Sequence, residues 1–146
     1  MARRPQGTPE QRAVESVLST LWALLTLPFK NKAKGIDTHT ANEIARHWGT
    51  VLEMVSSPAT EAMAVSEADK LLDAALQAMN YGGGSMADRL RGAEGRWGRE
   101  LTNEVWRAHK LRNQIAHEMG MRLAPGQAQV AIRTFATALR NLGVSV

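Results

Sequence analysis

The sequence predicts an all-α protein: an antiparallel bundle of about four main helices, preceded by an extra N-terminal helical segment. Apolar residues recur at spacings of three and four in its long segments. No segment alternates apolar and polar residues as a half-buried strand would. Capping residues, prolines and glycines interrupt the apolar runs at helix-length intervals.

Residues 1–9 are basic and hold Pro5, Gly7 and Pro9, which reads as a loose tail, with Thr8 and Pro9 able to open a helix. From Arg12 to Phe29 the chain carries Val14, Val17, Leu18, Leu21, Trp22, Leu24, Leu25 and Leu27. The first part has helical spacing and the second is apolar nearly all round. The run falls short of the roughly 18–20 apolar residues of a membrane span, and it lacks a signal-peptide cleavage pattern. Pro28 closes it, and Lys30, Lys32 and Lys34 form a basic loop. A core or interface helix is expected here. The alternative is contact of this segment with an anionic membrane surface.

A helix is predicted over Thr38–Val55, capped by Asp37 or Thr38, with Ile44, Ala45, Trp48, Val51, Leu52 and Val55 on its apolar stripe. His39 and His47 read as structural or surface residues, and no metal site is expected. Ser57-Pro58 ends this segment. It also divides an N-terminal extension, residues 1–56, from a bundle domain, residues 57–146.

A long helix then runs through Tyr81. Ala62, Val65, Ala68, Leu72, Ala75, Leu76 and Met79 make its buried stripe, and Glu61, Glu67, Asp69, Lys70 and Asp73 its wet side. Gly82-Gly83-Gly84 has no strand before it and no Gly-Lys-Ser/Thr after it, so it is a helix terminator and turn rather than a phosphate loop. Ser85 caps a short helix, Met86 to Ala93. Gly92, Gly95 and Gly98 predict a bent connection. A further helix starts between Glu100 and Asn103 and ends by Gly120. Pro125 opens the last one, with Val130, Ile132, Phe135, Ala138, Leu139 and Leu142 as apolar positions and Gly143 as terminator.

At 146 residues the chain is long enough for a substantial core. Cys is absent, which excludes disulfides, a thiolate nucleophile and thiolate metal ligation, and fits a cytoplasmic location. The net charge of +4 is unevenly spread. Residues 35–84 hold two basic and seven acidic side chains, and residues 85–146 hold ten basic and five acidic. The C-terminal part is therefore suited to an anionic partner such as RNA. Pairing of the acidic segment with the basic one would account for the same distribution.

The chemistry-bearing residues concentrate in Trp106 to Glu118, which holds two of the four histidines together with Arg107, Lys110, Arg112 and Asn113. At 100° per residue from His109, Asn113, Trp106 and His117 fall at about 40°, 60° and 80°, and Arg112 at about 300°. Leu111, Ile115 and Ala108 fall on the far side, at about 200–260°. The polar face predicts a groove whose second wall is another helix or a second subunit. Arg binds phosphate as a planar fork, and His carries protons near neutral pH.

Arg112-Asn113-Gln114-Ile115-Ala116-His117 resembles the signature of HEPN domains, small helical modules whose motif is an Arg, usually a polar residue next, and a His after four to six intervening residues. Four residues separate Arg112 from His117 here. The resemblance covers roughly residues 58–142, and it implies a HEPN-like bundle and a homodimer through the motif helices. It also implies a metal-independent endoribonuclease that needs no cofactor. A role as a toxin held in check by an antitoxin protein follows from the resemblance alone.

On that reading Arg112 clamps the phosphate, His117 transfers protons, Asn113 orients His117 or the phosphate, and His109 assists. Arg89, Arg96, Arg99, Trp106, Arg107 and Lys110 extend the RNA-binding surface. Trp97 among the arginines reads as a base-stacking residue or as one buried Trp beneath a solvated Arg-rich face. The alternative function is a non-catalytic RNA- or nucleotide-binding module, or a helical dimerisation or membrane-associated module.

Overall fold

The computed structural model describes residues 35–146. The helix expected over Arg12–Phe29, the basic loop expected after it and any membrane contact by that segment lie outside the described residues. The fold is all-α. Its helices are α1 (Thr38–Val55), α2 (Glu61–Ala78), α3 (Met86–Ala93), α4 (Arg99–His117) and α5 (Gln127–Asn141), with one 3₁₀ turn over Glu94–Arg96. Among the described residues there is no strand, and no helix is long and apolar enough to cross a membrane.

α2 is the central helix and packs against α1, α3, α4 and α5. Ala64, Ala68 and Ala75 on its buried face are fully enclosed and let neighbouring backbones come close, while Leu72 and Leu76 fill the space between helices. Phe135 and Leu139 of α5 and Val105 of α4 complete the same core. Full burial of a side chain the size of Leu or Phe stabilises the fold by about 1.5–3 kcal/mol.

α1 begins where the sequence predicts. The Asp37 carboxylate accepts from the Thr40 backbone N–H at 2.9 Å, and that bond holds its pKa below the ordinary value. Ile44, Trp48 and Val51 of α1 are buried in the common core. The division at 56/57 therefore does not separate α1 from the bundle, whose described part begins at Thr38.

α2 ends before the glycine triplet. Asn80 takes the left-handed conformation at φ 62°, and Tyr81 N–H bonds the Leu76 carbonyl at 3.0 Å, a Schellman ending built on Asn. Within the triplet, Gly83 is the position with a conformational demand. Its φ is +125°, and a Cβ there would lie 2.2 Å from Asp88 Cβ. Ser85 and Asp88 form a reciprocal capping box on α3, and the Ser85 hydroxyl bond holds Asp88 below the ordinary carboxylate range.

Candidate nucleic-acid interface

Val105, Ala108 and Leu111 bury the apolar stripe of α4, which packs against α2 and α5. That packing sets the azimuth of every other side chain on the helix. His109 lies next to the stripe and is only 6% exposed, so it faces the interior rather than the open groove expected for it. It meets Asp69 of α2, His109 Nδ1 to Asp69 Oδ1 at 2.8 Å. Asp69 is 4% exposed, which corrects its placement on the wet side of that helix.

Four residues form one hydrogen-bonded series. Arg112 Nη1 lies 3.1 Å from Asn113 Oδ1, Asn113 Nδ2 lies 3.2 Å from His109 Nε2, and His109 Nδ1 reaches Asp69. The donors follow from chemistry. A guanidinium only donates, so Asn113 turns its oxygen to Arg112 and its amide N–H to His109. His109 Nε2 then accepts, and Nδ1 keeps its proton and donates a hydrogen bond to the Asp69 carboxylate. Both ring nitrogens are occupied, which removes His109 from direct proton transfer to a ligand.

Arg112 closes the cluster electrostatically. Its Nε lies 3.7 Å from Asp69 Oδ2, an ion-pair distance too long for a hydrogen bond, and it is buried without a hydrogen-bond partner among the described residues. The buried carboxylate thus has a nearby positive charge as well as the His109 N–H. The Arg112 side chain is 31% exposed, and Nη2 is not engaged by any hydrogen bond among the described residues.

His117 is the last residue of α4 and is exposed. The expected contact with Asn113 does not form, because Arg112 and His109 take the Asn113 amide. Arg112 and Asn113 are hydrogen-bonded to each other and Asn113 to His109, while His117, exposed at the helix end beside exposed Ala116, forms no side-chain hydrogen bond among the described residues.

The six residues expected to extend an RNA surface divide into three groups. Arg96, Arg99, Arg107 and Lys110 are exposed and form no ion pair among the described residues. Trp106 is half-buried. Its Nε1–H donates to Glu94 Oε1 at 3.1 Å, its ring stands edge-on to His109, and the Arg91 guanidinium lies 5.9 Å from its centroid. Arg89 is committed inside the fold. It holds Asp73 with two bonds of 2.6 and 2.9 Å and donates to the Gly83 carbonyl, and the Asp73 bond raises its pKa further. Trp97 is buried, 5% exposed.

Sequence reasoning missed Asp69. Asp69 had a readable signal: it sits four residues after Val65 and three before Leu72, on the spacing of the buried stripe itself. His39 and His47 are exposed, and Glu43 between them pairs with Arg46 at 2.6 Å. Among the described residues no His, Asp and Glu side chains cluster to hold a metal. Comparison with protein-family models, curated proteins and solved structures finds no match to this chain.

Proposed function

We propose that this protein is a metal-independent endoribonuclease working as a homodimer, with Arg112 and His117 of each copy at a shared cleft. The observation that supports this reading most is the contrast along one helix. Arg112 and Asn113 are braced by buried partners, and a solvent-exposed His117 follows five residues later. A phosphate clamp needs such bracing, and a proton-transfer group needs access to its substrate.

The reaction is in-line attack of the RNA 2′-oxygen on the adjacent phosphorus. The 2′-O–P bond forms and the P–O5′ bond breaks, leaving a 2′,3′-cyclic phosphate and a 5′-hydroxyl. His117 of one copy takes the 2′-hydroxyl proton, and the partner subunit's His117 gives a proton to the departing 5′-oxygen. The outward nitrogens of Arg112 bind the non-bridging oxygens as negative charge develops. Arg96, Arg99, Arg107 and Lys110 carry the flanking phosphates.

The test is expression of the wild type beside His117→Ala in a host cell, with recovery of cellular RNA. Growth arrest and RNA cleavage by the wild type alone support the reading and a toxin role. Equal growth with intact RNA favours a non-catalytic RNA-binding or dimerisation module.

A further inference from the structure

We infer that Asp69 and His109 are positioning residues for Arg112, so that a buried carboxylate on α2 aims the phosphate clamp carried by α4. This rests on the reading of Arg112 as the clamp, and it deepens that reading by adding two residues outside its motif.

The argument runs outward from the core. Asp69 is buried at 4% exposure and needs donors, because an unpaired buried carboxylate is costly. His109 Nδ1–H supplies one at 2.8 Å, and that bond fixes the tautomer that leaves a lone pair on Nε2. The lone pair fixes the Asn113 amide, whose N–H must point to it. The amide oxygen is thereby turned to Arg112 Nη1 at 3.1 Å. Asp69 acts on the same guanidinium a second time, through space, with Oδ2 3.7 Å from Nε.

These two constraints hold the guanidinium at opposite ends of its fork. Nε is turned inward to the carboxylate, and Nη1 is tied to Asn113. Nη2 and the second Nη1 hydrogen are left for an incoming phosphate. A planar fork held at two points loses little further freedom on binding two phosphate oxygens. A purely structural Asp–His pair would not require the second contact, from Asp69 Oδ2 to Arg112. The Trp106 ring stands edge-on to the His109 imidazole, so the buried end of the series is covered while its Arg112 end is open to solvent.

The experiment compares the full-length wild type with Asp69→Asn, Asn113→Ala and His117→Ala, using nitrogen-15 NMR and single-turnover cleavage of an RNA oligonucleotide. Asn at 69 keeps an oxygen for His109 Nδ1–H and removes the charge facing Arg112. The expected spectrum of the wild type shows His109 protonated at Nδ1 alone, with a slowly exchanging Arg112 Nε–H signal. Asp69→Asn keeps the first feature and loses the second. Asn113→Ala shifts both, and His117→Ala shifts neither.

In cleavage, Asp69→Asn lowers the rate at saturating RNA by about tenfold to a hundredfold, the scale of a misplaced reacting group, with a smaller change in the concentration for half-saturation. An Arg112 signal indifferent to Asp69→Asn, or His109 protonated at Nε2 instead, overturns the proposal whether or not the protein cuts RNA. Wild type that shows the expected spectra but leaves RNA intact retains the positioning of Arg112 and removes the nuclease reading. If Asp69→Asn unfolds, Asn113→Ala carries the test: unchanged Arg112 and His109 signals in that variant overturn the proposal.

Discussion

Asp69 and His109 stand forty positions apart in the chain and meet at 2.8 Å in the interior, each less than a tenth exposed. This contact joins the central helix to the helix that bears the motif, so the core and the candidate site share one polar element. Removing one partner of a buried ion pair or hydrogen-bonded charge costs about 3–5 kcal/mol, because the other is left unmatched. Asp69→Ala and His109→Leu should each fall in that range. Replacing both together should cost clearly less than the sum of the two. Urea unfolding of the four proteins measures the coupling, and strict additivity would show that the pair is energetically idle.

The arginines should separate into structural and ligand-facing groups. Arg89 is held by Asp73 inside the fold, whereas Arg107 is exposed and unpaired among the described residues. Arg89→Gln should lower the unfolding midpoint and leave the salt dependence of RNA binding nearly unchanged. Arg107→Gln should leave stability unchanged and reduce the salt slope by about one phosphate contact. Fluorescence anisotropy with an RNA oligonucleotide across a salt series checks both.

The turn between α2 and α3 should be intolerant of a side chain at one position only. Gly83→Ala places a Cβ against Asp88 Cβ in a backbone conformation that L residues rarely adopt. A loss of about 1–3 kcal/mol is expected from that strain. Gly82→Ala and Gly84→Ala, which meet nothing within 4 Å, should be close to neutral.

The capping box on α3 gives a pH dependence of definite sign. The Ser85 hydroxyl bond lowers the Asp88 pKa in the folded protein, so folding favours the ionised carboxylate. Its contribution is complete above the unfolded value, about 3.9, and disappears as pH falls through the folded value. Asp88→Asn should therefore differ from the wild type at neutral pH and converge on it in acid. Thermal melts at several pH values show whether the two curves meet.

Much of the helical layout was legible because it is set locally. Thr38–Val55 matches the predicted helix end to end, and the Asp37 and Ser85 caps are read from the residues beside them. α2 ends at Ala78 rather than at the expected Tyr81, because Asn80 takes the left-handed conformation before the more permissive glycines. The candidate site was legible only in part. Helical spacing assigned Arg112, Asn113 and His117 to one helix, but it could not show that His109 would turn inward. That depends on a carboxylate on another helix, and long-range pairing leaves no trace in local periodicity. Charge alone places Asp69 and Asp73 in solvent, whereas His109 satisfies Asp69 in the core and Arg89 holds Asp73 half-buried.

The proposed mechanism calls for a dimer, since His117 is the one exposed histidine of α4 and the proposed reaction both removes and delivers a proton. Sedimentation should show a two-fold assembly at tens of micromolar, and His117→Ala should not disturb it. A monomer at that concentration would contradict the shared cleft.

The most direct measurement is cleavage of a single-stranded RNA in excess chelator, with the products analysed for terminal phosphate chemistry. The account predicts cleavage by the wild type to 2′,3′-cyclic phosphate ends, no cleavage of the matching DNA, and loss of activity in folded Arg112→Ala and His117→Ala. Intact RNA, activity that returns only with added Mg²⁺, or full activity in both variants would contradict it.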